Sequence, residues 1–204
     1  MNAVNAIILA GGKNSRMGGL DKAFLEIEGQ PIIRRLIDTL RPLVNEIIVV
    51  TNNPAKYSNF KVRLVKDESL DRGPLMGLYS GLKASTSQYN FVAACDMPCL
   101  RSSLIKFMLD TKDDYDILIL RVSEKFHTLF GVYSKNCIPV IKEALEEDEL
   151  RIGSIFPKLN VHFLSKKDVE KYDSNLLSLV NINTPEELER IKQQMIRENL
   201  KCQR

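Results

Sequence analysis

The stretch Ala6-Ile7-Ile8-Leu9-Ala10-Gly11-Gly12-Lys13-Asn14-Ser15-Arg16-Met17-Gly18-Gly19-Leu20-Asp21-Lys22 joins a short apolar run to a loop rich in glycine and positive charge. Four apolar residues closed by a glycine pair read as a strand buried on both faces. Four of the chain's ten glycines fall between Gly11 and Gly19, mixed with Lys13 and Arg16 and followed by Lys22. Glycine lets a backbone approach a ligand closely and turn several N–H groups toward one anion. Arg16 can then neutralise phosphate charge with a forked pair of donors, and Lys22 as a point charge. The commoner phosphate loops are absent here. Met17 stands where G-x-x-x-x-G-K-[ST] needs its second glycine, and no G-x-G-x-x-G occurs. This argues against a P-loop hydrolase and a dinucleotide-binding oxidoreductase, leaving a solvated basic surface loop as the plain alternative.

Outward from this loop, short β-branched runs alternate with helical patterns. Ile47 to Val50, Val62 to Val65, Phe91 to Ala94 and Ile117 to Leu120 read as further buried strands. Pro31 opens a helix carrying Ile32, Ile33, Leu36, Ile37 and Leu40; others are predicted from about Leu75 to Ser85 and from Ser102-Ser103, a capping pair. Beyond Leu120 come an extended run from Thr128 to Tyr133, a helix from about Asn136 to Glu147, and strands near Val161–Leu164 and Leu179–Ile182. Thr184-Pro185-Glu186-Glu187 then starts a last helix with a cap, a proline and two acids facing the dipole. Strands and helices in alternation predict a three-layer α/β domain with a mostly parallel, Rossmann-like sheet. One domain over residues 1–204 is expected, with its nucleotide-binding half at about 1–100 and its acceptor-binding half at about 101–196. Ligands in such sheets bind beyond the carboxyl ends of the strands.

Charge and cysteines narrow the class. A net charge of +3 is too small to argue for nucleic acid and suits an anionic small molecule. Cys95, Cys99, Cys137 and Cys202 include no C-x-x-C pair, and only His127 and His162 stand beside them, so reduced thiols in a cytoplasmic protein are expected. No apolar stretch approaches the ~20 residues that span a bilayer, so no membrane is expected as a partner.

Asp96 follows a strand directly, and a hard carboxylate there can hold magnesium with substrate phosphates; an aspartate opening a turn before Pro98 is its other reading. Asp67 follows the Val62–Val65 run. Gly73-Pro74-Leu75 stands before a helix in which Gly81 reads as a close-packing position against the sheet.

Together these segments resemble a known family. Leu9-Ala10-Gly11-Gly12 with Arg16-Met17-Gly18 and Lys22 is similar to the signature of nucleotidyltransferases with a glycosyltransferase-A-like fold. Asp67 with Gly73-Pro74-Leu75-x-Gly77, Cys95-Asp96-Met97-Pro98 and Val180-Asn181-Ile182-Asn183-Thr184-Pro185-Glu186-Glu187-Leu188 resemble the molybdenum cofactor guanylyltransferases, in order along nearly the whole chain. The resemblance implies transfer of GMP from GTP to molybdopterin with Mg2+. It implies Arg16, Lys22 and Asp96 as catalytic residues and Asp96 as metal ligand. For the nucleotide it implies Leu9, Ala10, Gly11, Gly12, Lys22, Asp67, Gly73, Pro74, Leu75 and Asp96. Asn181 and Asn183, alternating along the last predicted strand, are implied at the acceptor, and Gly12 favours GTP over CTP. His127-Thr128 stands where the family often shows His-Pro-Thr, without the proline. Cofactor-delivering or molybdoenzyme-maturation proteins are implied as partners. A CTP-using or sugar-phosphate enzyme, or a regulatory nucleotide-binding protein, are the competing readings.

Overall fold

The structure is a computed structural model that describes residues 3–11, 21–112 and 114–202. Its nine strands are β1 (Val4–Leu9), β2 (Glu26–Ile27), β3 (Gln30–Pro31), β4 (Ile47–Val50), β5 (Arg63–Val65), β6 (Tyr89–Ala94), β7 (Ile117–Val122), β8 (Lys125–Ser134) and β9 (Val161–Leu164). The helices are α1 (Ile32–Leu40), α2 (Gly73–Ala84), α3 (Ser102–Thr111), α4 (Cys137–Glu146), α5 (Lys166–Val169) and α6 (Pro185–Cys202). β2 and β3 form a small hairpin; the other seven strands make one sheet in the order β5-β4-β1-β6-β8-β7-β9. Within the seven-stranded sheet every pairing is parallel except those of β8, which runs antiparallel to both neighbours.

β1 shows why the layers form. All six residues are buried, and successive side chains enter opposite cores. Ala6 and Ile8 pack with Ile33, Leu36 and Ile37 of α1 and with Leu104 of α3. Ile7 and Leu9 pack with Leu75, Leu78 and Leu82 of α2 and Ile141 of α4. The expected three-layer α/β architecture is therefore present.

The order of strands decides where a ligand can enter. The chain leaves β1, crosses one face through α1 and returns as β4; after β5 it crosses the other face through α2 and returns as β6 on the opposite side of β1. A crevice opens where connections diverge in this way. Leu9 is in register with both Val50 and Ala94, and Val50 with Val65. The segments after β1, β4, β5 and β6 thus emerge side by side.

Several local expectations change. α2 begins at Gly73, so Gly73-Pro74-Leu75 forms its first turn instead of preceding it. α3 is capped by Arg101 without a side-chain bond, and Ser103 donates its hydroxyl to the Tyr172 carbonyl, so the serine pair does not cap. Leu179–Ile182 is not a strand. A 3-10 turn occupies Leu177–Leu179, and the following segment meets the sheet by a single backbone bond, from the Ile182 N–H to the Asp96 carbonyl at 2.9 Å. Pro98 has no N–H to extend a ladder there, and α6 begins three residues after Ile182. The β7–β8 pairing also departs from regularity. Two steps along β7, from Ile119 to Arg121, are matched by five along β8, from Gly131 to Phe126, so His127, Thr128 and Leu129 bulge outward.

Gly81 lies where α2 crosses β1 and β4. A Cβ there would stand 2.6 Å from Cγ2 of Ile7 and 3.2 Å from Cγ2 of Val50. Both are stiff β-branched side chains in the core. Gly81→Ala is expected to cost about 1–3 kcal/mol through overpacking, read as a lowered urea midpoint at unchanged slope.

Candidate active site

Lys22 lies in a 3-10 turn, Lys22–Phe24, that is anchored at each residue. The Asp21 side chain accepts from the Ala23 N–H at 3.3 Å, Ala23 is fully buried, and Phe24 packs on Tyr57 with ring centroids 5.1 Å apart. Held in this way, the Lys22 ammonium donates to Oδ1 of Asn183 at 2.6 Å and to Oδ2 of Asp96 at 3.3 Å. The Asn181 amide donates to the other carboxylate oxygen of Asp96 at 2.6 Å. The Lys22 and Asp96 side chains are only 17% and 16% exposed, so bulk water screens their attraction less than at an open surface.

Asn181 and Asn183 therefore reach one cluster, although the segment carrying them is not a strand. What aims them is the start of α6. Glu187 accepts from the backbone N–H of Asn183 at 2.6 Å and of Thr184 at 3.2 Å, while its own N–H donates to the Thr184 hydroxyl at 3.2 Å. This is a capping box, which satisfies two orphan donors and sets the entry angle of the helix.

The cluster opens into a cleft of about 760 Å³ that spans the ends of β1, β4, β5 and β6. Leu9, Ala10 and Gly11 form its floor, with Lys22, Asp96 and Asn181 on one side and Asp67, Gly73 and Pro74 on the other. Gly73 has φ +67°, a backbone conformation that suits glycine. Leu75, by contrast, points its side chain into the core beneath α2 and is fully buried. Gly12 and Arg16 lie outside the described residues. His127 falls on the β8 bulge, where burial and the nearby Lys125 charge hold its imidazole below the usual value, favouring the neutral form at pH 7. Leu129 of the same bulge lines the cleft.

Asp67 is tightly held on the side of the cleft across from Asp96. Its Oδ2 accepts from the Asn52 amide at 2.8 Å. Its Oδ1 is buried and has no hydrogen-bond partner among the described residues. Burial pushes the Asp67 carboxyl above its ordinary value, and the Asn52 bond acts against that rise.

Sequence reasoning passed over several residues that line this cleft. Asn52 follows β4 as Asp67 follows β5, so the rule that ligands bind after the strands already pointed to it. Lys56 pairs with Asp21 at 3.1 Å beside Lys22. Arg72, just before α2, donates to the Leu145 carbonyl and pairs with Asp148 at 2.8 Å, tying the cleft wall to the end of α4. Nothing in the local pattern marked Lys56 or Arg72. The three cysteines whose side chains are described are free thiols; burial pushes Cys99 to about 11 and Cys137 to about 12, and raises Cys95 further. These thiols are neutral at pH 7, so they are poor nucleophiles.

Backbone glycine, a lysine and a strand-end aspartate converging on a cleft at the switch point of an α/β sheet define a nucleotidyltransferase. Residues 6–159 match the family described as the MobA-like NTP transferase domain. A molybdenum cofactor guanylyltransferase from Desulfosudis oleivorans is 36% identical over 191 residues, covering 93% of this chain and 95% of that protein. The chain belongs to the molybdenum cofactor guanylyltransferase family.

The fold agrees with solved structures. Molybdopterin-guanine dinucleotide biosynthesis protein A from Archaeoglobus fulgidus superposes with a TM-score of 0.83 at 22% identity, covering 95% of this chain and 99% of that one. A nucleotidyl transferase from Methanothermobacter thermautotroptrophicus superposes with a TM-score of 0.77 at 20% identity, covering 97% and 100%.

Lys22→Ala is expected to slow nucleotidyl transfer at least tenfold, the ~1.4 kcal/mol of one charge-assisted contact to phosphate. Steady-state pyrophosphate release measures this, and an unchanged rate would remove Lys22 from the mechanism.

Proposed function

We propose that this protein transfers the GMP moiety of GTP to the terminal phosphate of molybdenum-bearing molybdopterin, releasing pyrophosphate and forming the guanine dinucleotide cofactor. The observation that carries the proposal is Asp96, held between Lys22 and Asn181 in the cleft whose floor is Gly11. The 36% identity to a protein named for this activity supports the choice of base and acceptor.

In the reaction, an oxygen of the acceptor phosphate bonds to the α-phosphorus of GTP. The bond from that phosphorus to the β-bridging oxygen breaks, and its electron pair leaves on pyrophosphate. A phosphate monoester has its second pKa near ~6 and is largely dianionic at neutral pH. The nucleophile therefore needs no protein base, and the thiols among the described residues are all held protonated. The site has to align the reactants and neutralise charge.

Asp96 would hold a magnesium ion. Its donor set fits: one hard carboxylate with an asparagine amide beside it leaves room for phosphate oxygens and water. Bound there, the metal supplies neutralisation of the triphosphate charge. Lys22 sits at the same carboxylate and can follow charge onto the leaving group. The Gly11 amide and, in this reading, Gly12 and Arg16 cradle the phosphates. Leu9, Ala10, Asp67, Gly73 and Pro74 receive the nucleoside, with Leu75 contributing backbone alone. Asn181 and Asn183 face the acceptor from the C-terminal half of the chain. A cytoplasmic location fits this role, and no helix among the described residues is long and apolar enough to cross a membrane.

Pyrophosphate release measured with GTP, CTP, ATP and UTP, with and without metallated pterin, tests the proposal. Release with GTP only, and only with the pterin, is expected. A sugar 1-phosphate that replaced the pterin, or a preference for CTP, would overturn the named reaction, and Mg-GTP binding without turnover would mark a regulatory binder. Asp96→Ala is expected to abolish magnesium-dependent turnover while the protein stays folded. Retained activity would remove Asp96 as the metal ligand.

A further inference from the structure

Asp67 presents an unusual arrangement for a carboxylate in a ligand cleft. One oxygen is shut against carbon: a Cβ built on Gly77 would lie 3.5 Å from Oδ1 and 3.4 Å from Cδ2 of Leu9. The other oxygen faces Gly11, whose Cβ would lie 3.8 Å away. Among the described residues this carboxylate forms no ion pair and has a single side-chain donor, the Asn52 amide. Asn52 does more than donate. Its Oδ1 accepts the backbone N–H of Asp67 at 3.3 Å while its Nδ2 donates to Oδ2 at 2.8 Å. The two bonds agree on one orientation of the amide, and together they close a ring that fixes both the Asp67 rotamer and its backbone.

The ring exists because of strand pairing. Val50 and Val65 are in register, and the Thr51 N–H donates to the Val65 carbonyl at 2.8 Å, which carries the β4–β5 ladder one step past the strands. Asn52 and Asp67 are the next residues out on each side. β5 lies three strands from β6, roughly 14 Å at about 4.8 Å per strand. The pair therefore stands on the far side of the cleft from Lys22 and Asp96, where the nucleoside and not the reacting phosphorus is received.

We infer that Asn52 is a positioning residue for nucleoside recognition, locking the Asp67 carboxylate so that Oδ2, the oxygen turned toward Gly11, accepts a donor from the nucleoside. The inference rests on the reading of this cleft as a nucleotide site. It requires Asn52 to act through Asp67, on binding and not on the chemical step, and Asn52 itself contributes nothing to the phosphoryl transfer centre.

Direct binding of the magnesium complexes of GTP, CTP, ATP and UTP to the native chain, by calorimetry, first identifies the tightest nucleotide, which then serves as probe. With that probe, Asn52→Ala is expected to weaken binding about tenfold, equivalent to about 1.4 kcal/mol. Asn52→Asp, which places a second carboxylate beside the first, is expected to lose at least as much. Both should keep the turnover number within twofold, and because Asn52 is exposed both should keep the native melting temperature. In an Asp67→Asn background the Asn52→Ala loss should shrink below twofold, the coupling expected of a residue that works only through its neighbour. An Asn52→Ala variant that binds within twofold of native, or a tenfold loss that persists in the Asp67→Asn background, would overturn the inference. A native chain that favours a nucleotide other than GTP would overturn the guanine reading and leave the Asn52 cycle to be decided on that nucleotide. A native chain that binds none of the four would overturn both.

Discussion

In a parallel sheet the chain must cross from the end of one strand to the start of the next, and it can do so over either face. Here it crosses one face between β1 and β4 and the other between β5 and β6, so the two neighbours of β1 are reached from opposite sides. Among the described residues, no connection covers the carboxyl ends where those paths part. That gap is the cleft, and it places one candidate after each strand around it: Gly11 after β1, Asn52 after β4, Asp67 after β5 and Asp96 after β6. The close seat of α2 at Gly81 keeps its first turn, with Gly73 and Pro74, at the rim.

The polar cluster at Asp96 joins distant parts of the chain. Lys22, Asp96, Asn181 and Asn183 come from three separate segments, yet each side chain has a partner within the group. A buried charge without a partner would be costly, so an aspartate and a lysine in this position must be assembled together. The capping box at Thr184 and Glu187 extends that order outward by fixing the backbone of Asn183. The same contacts that dock the C-terminal helix also set the geometry a triphosphate would meet.

Much of the fold was legible from periodicity. The buried strands β1, β4, β6 and β7 read as continuous apolar runs because both their faces are covered, and α1 read cleanly because its five buried residues recur at helical spacing. Failures came where a local pattern was outvoted by a distant one. Leu179–Ile182 has strand composition, but a 3-10 turn takes its first residue and one backbone bond, from Ile182 to Asp96, ties the rest to the chain beyond β6. Ser102-Ser103 has capping composition, but Ser103 spends its hydroxyl on Tyr172. The β2–β3 hairpin was missed since each strand is only two residues long. The antiparallel direction of β8 and its three-residue bulge leave no mark in the alternation of residues, because direction is a property of the pairing.

The site divides in the same way. Residue type and position along the chain marked Gly11, Lys22 and Asp96 as candidates, since phosphate and hard cations demand particular chemistry, and the family resemblance supplied their roles. Asn181 and Asn183 were noticed through resemblance, and their approach to Asp96 required the folded chain: 161 residues separate Lys22 from Asn183. Sequence alone thus determined the layers, the location of the ligand edge and the chemical character of its groups, all of which follow from local burial and side-chain type. Only the tertiary structure decided the register of β4 against β5 that brings Asn52 onto Asp67, the inward turn of Leu75, and the partners of Asp96. These depend on which strand ends lie side by side, and that is set by packing over the whole sheet and not by any residue's near neighbours.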